Sequence, residues 1–80
     1  MNDLELYYSP WCPYCLNVLR FMKNRGITVE LKDTSDPENQ KRLLAVGKKN
    51  QVPCLFINGK PLYESRDIMS YLDKHFSDKQ

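Results

Sequence analysis

The sequence predicts an α/β domain built on a four-stranded mixed sheet with helices on both faces, in the order β-α-β-α-β-β-α. Three observations point there. Short segments that alternate apolar and polar residues are interleaved with longer segments of helical period. An Asn58-Gly59 pair joins two further short segments in the manner of a tight hairpin. The length of 80 residues suits one domain and excludes two ordinary ones.

Each element has a local cause. Leu4-Glu5-Leu6-Tyr7-Tyr8 alternates and is rich in aromatics, so it reads as a strand, and Ser9-Pro10 ends it. Residues 13–25 have a helical pattern, with Cys15, Leu19 and Met22 on one face and Leu16 and Val18 beside it. Pro13 suits a first helical turn and Gly26 a stop. Residues 27–32 alternate again and are expected to form a second strand with one buried face. Asp36-Pro37-Glu38 supplies a cap, a proline at the first position and an acid in the first turn of a second helix. Leu43, Leu44 and Val46 give that helix its apolar side, Gly47 is expected to end it, and Lys48 and Lys49 follow at its negative end. Residues 54–57 and 60–63 are the arms of the hairpin; Pro61 cannot donate to a ladder, so its strand belongs at the sheet edge. A last helix starts near Ser65 as cap, with Asp67 in its first turn and Ile68, Leu72 and Phe76 as its core stripe. The first two strands, joined through a helix, are expected to be parallel with a right-handed crossover, and the last two antiparallel.

Composition narrows the function. Apolar residues are 41% and charged residues 28%, a globular mixture rather than a disordered one. No apolar run is long enough for a transmembrane helix, and no basic-then-apolar leader opens the chain. A net charge of +2, with no basic stripe interleaved with aromatics, argues against nucleic acid. Three cysteines, two of them three apart, make a poor disulfide framework and point to a reducing compartment such as the cytoplasm. There a paired cysteine is redox-active or metal-binding.

Cys12-Pro13-Tyr14-Cys15 falls where the first strand meets the first helix. Cys12 then lies at a helix N-terminus, where unpaired N–H groups and the positive dipole end favour a thiolate. Cys15, one turn in, faces the core. The asymmetry assigns attack to Cys12 and resolution to Cys15. The competing reading is a zinc site of Cys12, Cys15, Cys54 and His75, which lacks a second close ligand pair. Val52-Pro53 is either a proline opening a strand or a cis peptide beside the cysteines. Cys54 reads as a small buried hydrophobe on that strand. Glu64-Ser65-Arg66-Asp67 is either plain capping by Ser65 or a carboxylate-binding helix start, with Glu64 or Asp67 placed for a ligand ammonium.

Residues 8–15 (YSPWCPYC), 51–59 (QVPCLFING) and 62–72 (LYESRDIMSYL) together resemble a dithiol glutaredoxin of the CPYC type. The stretch from Val52 through Glu64-Ser65 also resembles the N-terminal domain of glutathione transferases. The resemblance implies a thioredoxin-like fold, with residues 1–80 as a single glutaredoxin-like domain. It implies a glutathione-dependent thiol–disulfide oxidoreductase that reduces protein disulfides and protein–glutathione mixed disulfides through a redox-active Cys12/Cys15 pair. Glutathione would be co-substrate, with no bound cofactor and no metal. Glutathione would be held by Tyr14, Val52, a cis Pro53, Glu64, Ser65, Arg66 and Asp67. The expected partners are glutathione, disulfide-containing or glutathionylated proteins and, indirectly, the glutathione reductase system. No nucleic acid or membrane is expected, and a monomer is. Alternatives are a redoxin reduced directly by thioredoxin reductase and a glutathione-binding or metal-binding thioredoxin-fold module.

Two departures stand out. Ser9 replaces the Lys or Arg that many glutaredoxins carry three residues before the first cysteine, leaving Gln40, Lys48 or Lys49 as substitutes. Tyr63-Glu64 replaces the usual glycine pair before the last helix and brings bulk to the expected groove.

Overall fold

In the structure, a computed structural model that describes residues 4–77, the elements follow the expected order. They are β1 (Leu4–Tyr8), α1 (Pro13–Arg25), β2 (Glu30–Asp33), α2 (Pro37–Arg42) continued by a π-helical turn (Leu43–Gly47), β3 (Cys54–Ile57), β4 (Lys60–Leu62) and α3 (Ser65–Ser77). The sheet runs β2-β1-β3-β4, with β1 parallel to β2 and antiparallel to β3, and β3 antiparallel to β4. This is the thioredoxin-like architecture expected.

Period-2 alternation builds a core on each side of the sheet. Leu4, Leu6 and Leu55 point to the side covered by α1 and α3, where they meet Val18, Met22, Ile27, Ile68 and Leu72. Tyr7, Cys54 and Phe56 point to the other side, where Leu43 covers them and Val46, Val52 and Tyr63 pack around. The Tyr7 and Phe56 rings lie 4.6 Å apart, and the buried Tyr7 hydroxyl donates to Glu5 Oε1 at 3.1 Å.

The predicted punctuation is mostly present. Gly26 adopts φ 67° at the end of α1, where its N–H reaches the Lys23 and Met22 carbonyls. The Asp36 carboxylate accepts the Glu38 N–H at 3.0 Å. Asn58 and Gly59 both take positive φ in the hairpin turn, and Pro61 lies on the edge strand β4. Among the described residues no helix is long and apolar enough to cross a membrane.

Several expectations need correction. The second strand covers residues 30–33 rather than 27–32, because the chain uses Ile27 to close α1: the Ile27 N–H bonds the Met22 carbonyl at 2.9 Å. As an edge strand paired only with β1, β2 leaves Leu31 exposed. Leu16 and Leu44, expected beside the core, are also exposed, because the buried faces turn on Cys15, Val18 and Met22 in α1 and on Leu43 after α2. Gly47 does not stop the helix. It lies inside the π-helical turn, and Lys48 makes the left-handed exit at φ 62°. Tyr63 leaves β4 rather than extending it. Ser65 is the first residue of α3 and not its cap. Glu64 occupies the capping position, with its carbonyl accepting the Ile68 N–H at 3.0 Å. His75 is half-buried, its ring stacked on Tyr71 at 5.5 Å.

Candidate active site

Strand directions gather the site at one end of the sheet. β1 ends at Tyr8, opposite Asp33 at the end of β2, while β3 begins at Cys54, opposite Tyr7. β4 ends at Leu62, opposite Leu55 near the start of β3. The segments that carry Cys12, Val52-Pro53 and Glu64-Ser65 therefore all leave or enter the sheet at this end.

Cys12 is the N-cap of α1, with extended φ −100° and ψ 116°. Its sulfur accepts the Cys15 N–H at 3.4 Å, and its thiol faces the Val52 carbonyl at 3.8 Å. Pro13 sits in the first turn, where its missing N–H costs nothing. Cys15 is fully buried, and its sulfur accepts the Ser9 N–H at 3.5 Å. Burial pushes the Cys15 thiol up to about 12, opposed by that Ser9 N–H. Cys12, Cys15 and Cys54 are not joined by a disulfide in the structure. The Val52–Pro53 peptide is cis, and Pro53 is buried.

The rim is aromatic. Trp11 is 86% exposed and Tyr14 64% exposed, before and after the half-buried Cys12 in the chain. Glu64 takes φ 61°, a left-handed conformation that favours glycine. Ser65 is half-buried, while Glu64, Arg66 and Asp67 are exposed at the start of α3. The structure thus brings Cys12, Cys15 and Val52 into direct proximity and sets Pro53 beside them. Glu64, Ser65, Arg66 and Asp67 stand at the same end of the sheet on a separate wall.

Cys54 is fully buried on the opposite side of the sheet from Cys15, and burial pushes its thiol up to about 11. His75 lies in the last turn of α3. Among the described residues, no three His, Cys, Asp or Glu side chains converge as a metal cluster would require. Of the candidate substitutes for the absent cation, the Gln40 amide donates to Asn50 at 2.6 Å, and the Lys49 ammonium lies 5.2 Å over the Tyr63 ring.

Two features were not read from the sequence. Ser9 counted there only as a missing cation, yet it organises the loop. Its N–H bonds Cys15, its hydroxyl accepts the Trp11 N–H at 3.3 Å, and its carbonyl accepts the Cys12 N–H at 3.1 Å. A serine two residues before an orphan N–H is a recognisable turn signal. Thr34 ties the β2–α2 turn to this end, its N–H at 2.9 Å and its hydroxyl at 3.1 Å from the Tyr8 carbonyl. A separate surface depression, lined by Glu5, Arg42, Phe56, Asn58 and Gly59, lies at the hairpin end, away from the cysteines.

Residues 6–80 match the N-terminal domain of glutathione S-transferase. The chain belongs to that family. The transferase-type domain resembles the omega 3C glutathione transferase of Trametes versicolor at 26% identity and a TM-score of 0.81, covering 98% of this chain and 35% of that one. A transferase of Methylobacillus flagellatus, solved with glutathione bound, is 30% identical with a TM-score of 0.72, covering 88% of this chain and 35% of that one. A thioredoxin-like protein is 27% identical with a TM-score of 0.72, covering 86% of this chain and 97% of that one. The chain therefore spans about a third of these transferases and nearly the whole of the thioredoxin-like protein. No curated protein sequence matches it. The match is to the N-terminal domain family of glutathione S-transferases and to the thioredoxin-like fold.

Proposed function

We propose that this domain, as one catalytic unit over residues 1–80, is a glutathione-dependent thiol–disulfide oxidoreductase of glutaredoxin type. The observation that carries the reading is the Cys12 sulfur at the N-cap of α1, taking the Cys15 N–H at 3.4 Å, with a second, buried thiol one turn on. An anion at that sulfur gains the helix-end amides and dipole. Thiol–disulfide exchange at this position runs by attack of the Cys12 sulfur and, in the reverse direction, by its departure.

The reaction is two exchanges. The Cys12 thiolate attacks the glutathione sulfur of a protein–glutathione mixed disulfide. The S–S bond breaks, the protein leaves as thiolate and takes a proton from water, and Cys12 carries the glutathionyl group. A second glutathione thiolate then attacks that sulfur, regenerates the Cys12 thiolate and leaves as glutathione disulfide. With a protein disulfide, Cys15 resolves the intermediate, giving a Cys12–Cys15 disulfide that glutathione reduces. In this reading the Val52 backbone pairs with the cysteinyl part of glutathione beside Pro53, and Tyr14 lines the groove. Glu64, Ser65, Arg66 and Asp67 receive the γ-glutamyl end. Protein substrates, supply through glutathione reductase, a cytoplasmic setting and a monomeric state belong to the same proposal.

A coupled assay on a glutathionylated peptide with glutathione and its reductase tests it. Cys12→Ser abolishes turnover, and Cys15→Ser retains removal of the glutathione adduct. Turnover by Cys12→Ser equal to that of the parent sinks the proposal. The near-complete coverage of a thioredoxin-like protein favours one second reading, direct reduction by thioredoxin reductase. Replacing glutathione by that reductase in the same assay separates the two.

A further inference from the structure

We propose that Tyr63 is a positioning residue, a latch that ties the loop of residues 47–52 to the start of α3 and so sets the spacing between the two walls of the site. The inference rests on the glutathione reading for what lies between those walls.

The side chain bulk expected to narrow the groove turns away from it. The Tyr63 hydroxyl donates to the Gly47 carbonyl at 2.7 Å, at the end of the π-helical turn. A Cβ added at Gly47 would lie 2.5 Å from that oxygen, so the approach is open only to glycine. The ring packs on the cluster of Tyr7, Leu43, Cys54 and Phe56, against which Val52 also packs. The Lys49 ammonium lies 5.2 Å over the ring, within cation–π range. One side chain thus engages the beginning and middle of the loop and shares a packing surface with its end.

Both ends of the tie reach the chemistry. The Val52 carbonyl lies 3.8 Å from the Cys12 sulfur. Tyr63 is bonded to Glu64, which takes φ 61° and whose carbonyl starts the hydrogen bonding of α3. Backbone on one wall and the helix start on the other can serve a single extended ligand only at a fixed separation. The only thiol Tyr63 is seen to engage among the described residues is that of the buried Cys54, on the other side of the sheet from the reactive pair, so its loss acts on binding and not on Cys12.

The test compares the parent with Tyr63→Phe, which removes the hydroxyl, and Gly47→Ala, which keeps it but forces the two segments apart. Three quantities are read: amide hydrogen exchange, the Michaelis constant and kcat for a glutathionylated peptide, and the rate of Cys12 alkylation by iodoacetamide. Loss of one hydrogen bond speeds exchange of residues 48–51 by about 5-fold while α1 is unchanged. KM rises by about 3- to 10-fold in both variants, while kcat and the alkylation rate stay within about 2-fold. Unchanged exchange at 48–51 in Tyr63→Phe overturns the latch. Faster exchange with an unchanged KM overturns its role in spacing, and a parallel fall of kcat and alkylation overturns it by showing general damage. If the parent itself fails to turn over the peptide, the glutathione reading is what falls, and the exchange measurement alone decides the latch.

Discussion

Gly47→Ala tests, through stability, why position 47 must be glycine. The sequence suggests a helix stop, for which glycine is chosen by backbone conformation. The structure gives a different cause, a hydroxyl 2.5 Å from where the new Cβ would stand. Overpacking of this kind costs about 1–3 kcal/mol. Displacing Tyr63 to relieve it adds the loss of its bond to the Gly47 carbonyl, about 1 kcal/mol net. A total of about 2 kcal/mol or more is expected, a fall in Tm of about 8–16 °C for a domain of this size. Tyr63→Phe alone costs about 1 kcal/mol. In that background the nearest ring carbon stands 3.6 Å from the added Cβ, an ordinary contact. The double variant should then be as stable as Tyr63→Phe within about 0.5 kcal/mol. Urea unfolding of the four proteins closes the cycle. An equal cost of Gly47→Ala with and without the hydroxyl refutes the steric account and returns the position to backbone conformation.

Other outcomes follow from the same structure. Folded Cys15 and Cys54 hold their protons up to about 12 and about 11, whereas the unfolded chain releases them near 9.0. Stability is therefore complete below about pH 9 and falls as pH rises toward 12, which urea midpoints at pH 7, 9 and 10.5 will show. Burial also raises Tyr7 and Tyr63, which steepens the fall. Glu64→Gly relieves a left-handed non-glycine conformation worth about 1 kcal/mol, raising Tm; if Glu64 also receives the γ-glutamyl ammonium, KM for the glutathionylated peptide rises in the same protein. Asp36→Ala removes the cap of α2 and lowers stability by about 1 kcal/mol, without changing Cys12 alkylation.

The parts of the fold that were legible in the sequence are those with local causes. Period-2 alternation in β1, the Asn58-Gly59 turn and the Asp36 and Gly26 caps each specify backbone within a few residues. So does the Cys12-to-Cys15 spacing, which puts one thiol at a helix end and the other in the core. What was not legible depends on partners distant in the chain. The shortening of β2 follows from Ile27 closing α1. The exposure of Leu31 follows from its edge position, and alternation alone does not reveal which strand is an edge. Gly47 and Tyr63 lie 16 residues apart and explain each other only once β4 is set beside the π-helical turn. Ser9 was visible, but its three bonds required the loop to be closed.

The sheet is also a partition. Among the described residues, the layer formed with α1 and α3 holds eight buried residues and the layer formed with the π-helical turn holds four, with a thiol in each side of the divide. The thinner layer has less apolar area to lose, so the α2 side lifts at lower free energy than the whole domain melts. Such an excursion bares Cys54 while Cys15 stays covered. Cys54 and Cys15 are then expected to react separately with a thiol reagent, the first on opening of the thinner layer and the second on collapse of the domain as a whole.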